Sequence, residues 1–121
     1  MLNWFSKKEE EELSPLNLSI LKTDIHSHFI PGIDDGSPDM ETSILLIKKM
    51  QELGYSRVIT TPHVMSDFYK NSSETILKGL AAVRSELKLQ NINMDINAAA
   101  EYYLDFDFEQ KIGKEKFLTF G

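Results

Sequence analysis

Arg57-Val58-Ile59-Thr60-Thr61-Pro62-His63 is the stretch on which the fold turns. Val58, Ile59, Thr60 and Thr61 are all β-branched, and such side chains fit a pleated, half-buried surface. Pro62 has no N–H, so it stops the ladder and fixes the approach to His63. The stretch predicts a strand over residues 57–61 that delivers a histidine at its C-terminal end. Upstream, Gly54 is placed to end a helix in a left-handed conformation. Before it, Met40, Ile44, Ile47 and Met50, with Leu46 and Leu53, form a helical stripe. Ser37 and Pro38 read as an N-cap followed by proline at the first helical position. Asp39 and Glu41 add negative charge where the helix dipole favours it. Downstream, Ile76, Leu80, Val83 and Leu87 recur at the spacing of a core-facing helix, and Asn71 with Glu74 resembles a capping box.

Further out, residues 20–26 read as a first strand with Ile20, Leu21 and Ile25 as its apolar content. Residues 94–100 read as a third strand and 107–116 as a third helix. Strands alternating with helices imply an α/β fold of parallel strands joined by right-handed crossovers. Sites in such folds form at the C-terminal ends of the strands. His26 and His28, His63, and Glu101 all fall there, and these are the only three histidines of the chain.

The chain has 121 residues, 41% hydrophobic and 26% charged, which suits one small globular domain. A net charge of −6 argues against nucleic acid as a partner. Cysteine is absent, which excludes disulfides, thiolate zinc sites and thiol nucleophiles. No apolar run reaches the roughly 18 residues of a membrane span, and the N-terminus has no signal-peptide core. The expected location is the cytoplasm. Residues 1–19, with the charge run from Lys7 to Glu12, read as a solvated arm ahead of a domain over 20–121.

Alternate residues of a strand share a face, so His26 and His28 can point at one metal ion. A bare His-x-His also fits two polar residues at a strand end. Asp24 lies two residues before His26 and reads either as an acceptor for an imidazole N–H or as a loop carboxylate. Asp34-Asp35-Gly36 is a common turn sequence, and a carboxylate there is also a hard oxygen ligand. Glu101 follows three alanines; if buried, its charge calls for a cation, and a bridging position between two ions would suit it. Arg57 and Arg84, the only arginines, fall in regular elements and are not obvious phosphate clamps.

Together, Asp24-Ile25-His26-Ser27-His28, Pro31-Gly32-Ile33-Asp34-Asp35-Gly36, Thr60-Thr61-Pro62-His63 and Ala100-Glu101-Tyr102-Tyr103 resemble the bacterial tyrosine phosphatases of the polymerase-and-histidinol-phosphatase (PHP) superfamily, of the capsular and exopolysaccharide type. The resemblance implies a distorted barrel of parallel strands with helices outside and a trinuclear metal site. It implies that His26 and His28 hold a first ion, that Glu101 bridges the first and second, and that Asp35 and His63 hold the third. Manganese is the implied metal, with iron or zinc as alternatives. The implied activity is hydrolysis of phosphotyrosine by a metal-activated water. The implied substrate is a protein, a bacterial tyrosine kinase governing polysaccharide export, and an oligomer is compatible with the pattern. The family places further ligands downstream: a glutamate, a histidine and an Asp-x-His pair, with arginines that grip phosphate. The expectation is therefore an N-terminal portion of the domain, with about three β-α units of an incomplete barrel. A histidinol-phosphatase-like activity is the competing enzymatic reading, against which Asp35 stands. A non-catalytic fragment is the competing reading from another class.

Overall fold

The computed structural model describes Ser14 and residues 16–121. Most of the arm expected over residues 1–19 lies outside these. Five strands and three helices follow in the order β1 (Thr23–Ser27), α1 (Met40–Glu52), β2 (Arg57–Thr60), β3 (His63–Val64), α2 (Ser73–Leu89), β4 (Asp95–Ala98), β5 (Glu101–Tyr102) and α3 (Phe106–Lys111). The strands form two parallel sheets, β1-β2-β4 and β3-β5. The α/β class and the parallel pairing are thus as the sequence implies. Among the described residues the larger sheet is not closed: β1 and β4 each have one neighbour.

One face of this sheet is covered by α1 and α2. Ile44 and Ile47 of α1 and Ile76, Leu80, Val83 and Leu87 of α2 are buried against Val58 and Ile96, with Phe29, Ile30 and Met94 completing the core. The apolar spacing read from the sequence in α2 therefore marks the buried face, and burial of such side chains stabilises by about 1.5–3 kcal/mol each. In α1 the stripe holds at Ile44 and Ile47, but Leu46 and Leu53 are exposed.

Several boundaries differ from the sequence-based expectation, each for a local reason. Ile20 is 82% exposed and belongs to a 3₁₀ turn, Ser19–Leu21, closed by the Leu21 N–H donating to Leu18 O. Lys22 then takes φ +56°, so extended backbone starts only at Thr23. Asp39, not Ser37, caps α1, accepting from Thr42 N at 2.7 Å; the Ser37 hydroxyl is buried and donates to Asp39 O. Ser72 with Thr75, not Asn71 with Glu74, forms the capping box of α2, because the Asn71 amide is spent on the carbonyls of Ile33 and His63. The strand expected over 94–100 splits. Ala99 N still donates to Thr60 O, but Ala100 N turns to Leu118 O, and pairing resumes at β5 against β3. The third helix is shorter than expected: Ile112 swings to ψ 124° and Gly113 follows at φ +76°, in a turn that Lys114 N closes by donating to Lys111 O.

Gly54 ends α1 as expected. Its φ is +95°, and a Cβ there would also strike Ser19.

A bulge in β1 sets the direction of the two histidines. Asp24 is in register with Val58 and Ser27 with Thr60, so three steps along β1 match two along β2. An inserted residue interrupts the two-residue alternation. Asp24 stays level with buried Val58, and the face it was expected to share with His26 is not shared. Thr60 stitches the irregular end: its hydroxyl donates to Ser27 O at 2.9 Å and accepts from Phe29 N at 2.9 Å.

Candidate metal centre

The C-terminal ends of the strands bring five of the residues singled out in the sequence to one rim. His26 and His28 come from the end of β1 and the residue after it. His63 opens β3 and Glu101 opens β5, directly in register with each other. Asp35 comes from the loop between β1 and α1.

Glu101 Oε2 is the centre of the arrangement. It lies 3.3 Å from His26 Nε2, 3.4 Å from His28 Nε2 and 3.6 Å from His63 Nδ1. His63 presents its other nitrogen, Nε2, to Asp35 Oδ1 at 3.3 Å. Two sets of three donor atoms, His26-His28-Glu101 and His28-Asp35-His63, each lie within 4.8 Å of one another. Donors bound about 2.1 Å from one ion stand roughly 3.0–3.4 Å apart, and the two distances from Glu101 Oε2 to His26 and His28 have that spacing.

Glu101 Oε2 is buried and has no hydrogen-bond partner. Leaving a charged oxygen so is costly unless a cation meets it. The donor chemistry agrees, since imidazole and carboxylate together suit manganese, iron or zinc. The residues present therefore fit a metal ion. His26 and Asp35 are the open side of the rim, with side chains 67% and 63% exposed.

Asp34, which the sequence offers only as half of a turn doublet with Asp35, organises the interior. Its side chain is fully buried. Oδ2 accepts from His28 Nδ1 at 2.8 Å and from His63 N at 3.0 Å, and Oδ1 accepts from Gly36 N at 3.0 Å. With Nδ1 occupied, His28 has Nε2 left for the Glu101 side, so it belongs to the His26 set more than to the Asp35 set. Asp24 has no imidazole against it among the described residues, and its Oδ2 is buried without a partner. The only hint of Asp34 in the sequence was the Asp34-Asp35 doublet; its contacts to residues 28 and 63 are not local.

Gly36 permits the close packing. A Cβ there would collide with both Cβ and the carbonyl of His28. The arginines are engaged elsewhere, Arg57 with Asp95 at 2.6 Å and Arg84 with Ile96 O and Asn97. Tyr102 packs with Phe108 and Phe117 and accepts from Leu118 N, whereas Tyr103 is exposed.

A parallel α/β sheet with histidines and carboxylates collected at the carboxyl rim is the arrangement of the PHP superfamily. The family description "Capsular polysaccharide synthesis, CpsB/CapC" matches residues 22–121, and the chain belongs to this family. Tyrosine-protein phosphatase YwqE of Bacillus subtilis is 27% identical over 96 residues, covering 79% of this chain and 38% of that protein. Tyrosine-protein phosphatase CpsB of Streptococcus pneumoniae is 28% identical over 96 residues, covering 79% and 40%. The fold matches, with a TM-score of 0.72 and 27% identity over 80% of this chain and 39% of the other, a chain from the crystal structures of YwqE and CpsB, described as unique metal-dependent tyrosine phosphatases. The chain thus spans about two fifths of the length of these relatives.

Proposed function

We propose that this chain supplies the first ligand groups of a metal-dependent protein-tyrosine phosphatase serving capsular or exopolysaccharide biosynthesis. The observation that carries the proposal is the buried, unpartnered Glu101 Oε2 with three imidazole nitrogens around it. His26, His28 and Glu101 would hold one ion, Glu101 would extend to a second, and Asp35 with His63 would hold a third. Manganese is the proposed metal, with iron or zinc as alternatives. Bound cations supply positive charge to phosphoryl oxygens and make water more acidic.

The protein's own residues do the rest. Asp34 keeps the His28 Nδ1 proton in place, so that Nε2 faces the rim. Gly36 and Thr60 fix the backbone on either side of that ring. Exposed His26 and Asp35 leave the rim accessible to a phosphate on a protein surface. The engagement of both arginines supports a reading in which cations, not guanidinium groups, meet the phosphate within this part of the fold. The proposed substrate is a phosphotyrosyl protein, a bacterial tyrosine kinase in particular, and the proposed location is the cytoplasm. Among the described residues no helix is long and apolar enough to cross a membrane.

A second reading, metal binding without turnover by the 121 residues alone, is favoured by the donor count of three per set. The test is hydrolysis of p-nitrophenyl phosphate and of a phosphotyrosyl peptide against a phosphoseryl one, with manganese. It is run on this chain and on this chain fused to the segment of YwqE beyond the match. Manganese-dependent, phosphotyrosine-selective turnover by the fusion, lost on His26→Ala, supports the phosphatase. Full activity in His26→Ala refutes the ligand assignment, and robust turnover by the 121 residues alone removes the second reading.

A further inference from the structure

We infer that Tyr69 is a positioning residue that sets the plane of the His63 imidazole through its ring and not its hydroxyl; the inference rests on the reading of His63 as a cation ligand. The His63 main chain is held at both ends, its N–H by Asp34 Oδ2 at 3.0 Å and its carbonyl by Asn71 Nδ2 at 2.9 Å. Neither bond reaches the ring. The torsion that joins an imidazole to its Cβ is broad and roughly two-fold, so the backbone alone leaves the plane free. No hydrogen bond fixes either ring nitrogen; the facing carboxylate oxygens stand off at 3.3 and 3.6 Å.

The two flanking rings supply the constraint. Tyr69 lies nearly parallel to His63, with centroids 5.5 Å apart and planes at 13°. His28 abuts His63 edge-on at 4.6 Å and 63°. An offset stack and an edge contact are the favoured aromatic geometries, and together they fix the plane of the ring. Within that plane Nδ1 faces Glu101 and Nε2 faces Asp35, the only carboxylates beside the ring nitrogens among the described residues.

The loop between β3 and α2 is built around Tyr69. Its carbonyl accepts from Met65 N at 2.8 Å and from Asn71 N at 2.7 Å. Asn71 also ties the loop to Ile33 O at 2.8 Å. Ser66 anchors it from the other side, its N–H and hydroxyl both donating to Asp105 Oδ2. The Tyr69 hydroxyl makes no hydrogen bond among the described residues, so nothing in the loop depends on it.

The experiment adds zinc alone, stepwise, to the 121-residue chain and follows the imidazole nitrogens of His26, His28 and His63 by long-range ¹H–¹⁵N NMR. Tyr69→Phe is expected to match the wild type. Tyr69→Leu is expected to demand roughly tenfold more zinc at His63, while His26 and His28 respond as before. An unchanged His63 response in Tyr69→Leu overturns the inference, as does an equal loss in Tyr69→Phe, which would assign the role to the hydroxyl. Should Tyr69→Leu lose its dispersed amide spectrum, Tyr69→Met carries the same comparison; unfolding of both makes Tyr69 a folding anchor and overturns the inference. Failure of the ligand reading looks different: no histidine of the wild type responds to zinc, and the inference goes with it.

Discussion

His28 Nδ1 lies 2.8 Å from Oδ2 of Asp34, a carboxylate with no exposed side-chain surface. The pair determines which nitrogen of His28 carries the proton and therefore which one is free to meet a cation. Partners of this kind commonly matter nearly as much as the ligands they orient.

Asp34→Asn is expected to weaken zinc or manganese binding about 10- to 100-fold, as loss of an orienting carboxylate does. It also weakens the acceptor for His63 N and Gly36 N, at a cost of about 1–3 kcal/mol in folding. Calorimetric metal binding and urea unfolding of the same variant separate the two effects. Unaltered metal affinity in a folded variant would refute the orienting role.

Glu101→Gln should move stability in opposite directions with and without metal. Metal-free, the variant loses a buried, unpartnered carboxylate oxygen, and its Tm should equal or exceed that of the wild type. With manganese, the wild type should gain about 2.7 kcal/mol at a concentration one hundred times its Kd, and the variant little of this. Thermal melts at several manganese concentrations check both halves; an equal gain in both proteins contradicts the bridging assignment.

Gly36→Ala is expected to destabilise the fold by about 1–3 kcal/mol, as overpacking does, because the new methyl group meets the Cβ and carbonyl of His28. The displacement should show in the His28 imidazole resonances before any metal is added. A variant as stable as the wild type with an undisturbed His28 spectrum would show that the loop yields freely.

Asp105 and Asp39 give the fold a dependence on pH at its acid end. The Ser66 hydroxyl and the N–H groups at the start of α3 hold the Asp105 carboxyl below the ordinary carboxylate range. The Thr42 N–H does the same for Asp39. Folded values below unfolded ones mean that the stabilisation is fully present above about pH 4 and is lost as pH falls through the folded values. Asp105→Asn should therefore unfold more easily than the wild type at pH 7, with the gap closing in strong acid. Denaturant midpoints across that range measure it, and a gap independent of pH would count against the linkage.

The layers of the fold were legible because they rest on local chemistry. β-branched runs, the apolar spacing of α2 and the placement of Gly54 are properties of neighbouring residues. So were His26, His28, His63 and Glu101 as a group, since each falls at or just past the end of a strand and parallel strands share a rim. The bulge in β1 was not legible. It arises from the register with β2, and no residue between Asp24 and Ser27 announces it. For the same reason Asp24 reads as an orienting residue, whereas Asp34, in contact with residues 6 and 29 positions away, shows in the sequence only as half of a turn doublet. Cap positions failed where tertiary contacts competed for a polar side chain, as with Asn71.

The inserted residue in β1 makes the length of that strand more consequential than most of its side chains. Removing the Ile25 codon would leave every candidate ligand in the polypeptide but restore regular alternation, setting His26 level with Ile59 and shortening the path between Asp24 and His28 by one residue. Such an in-frame deletion is expected to be more damaging to metal capture than replacement of Ile25 by threonine, a contrast that a small library scored for zinc retention would reveal.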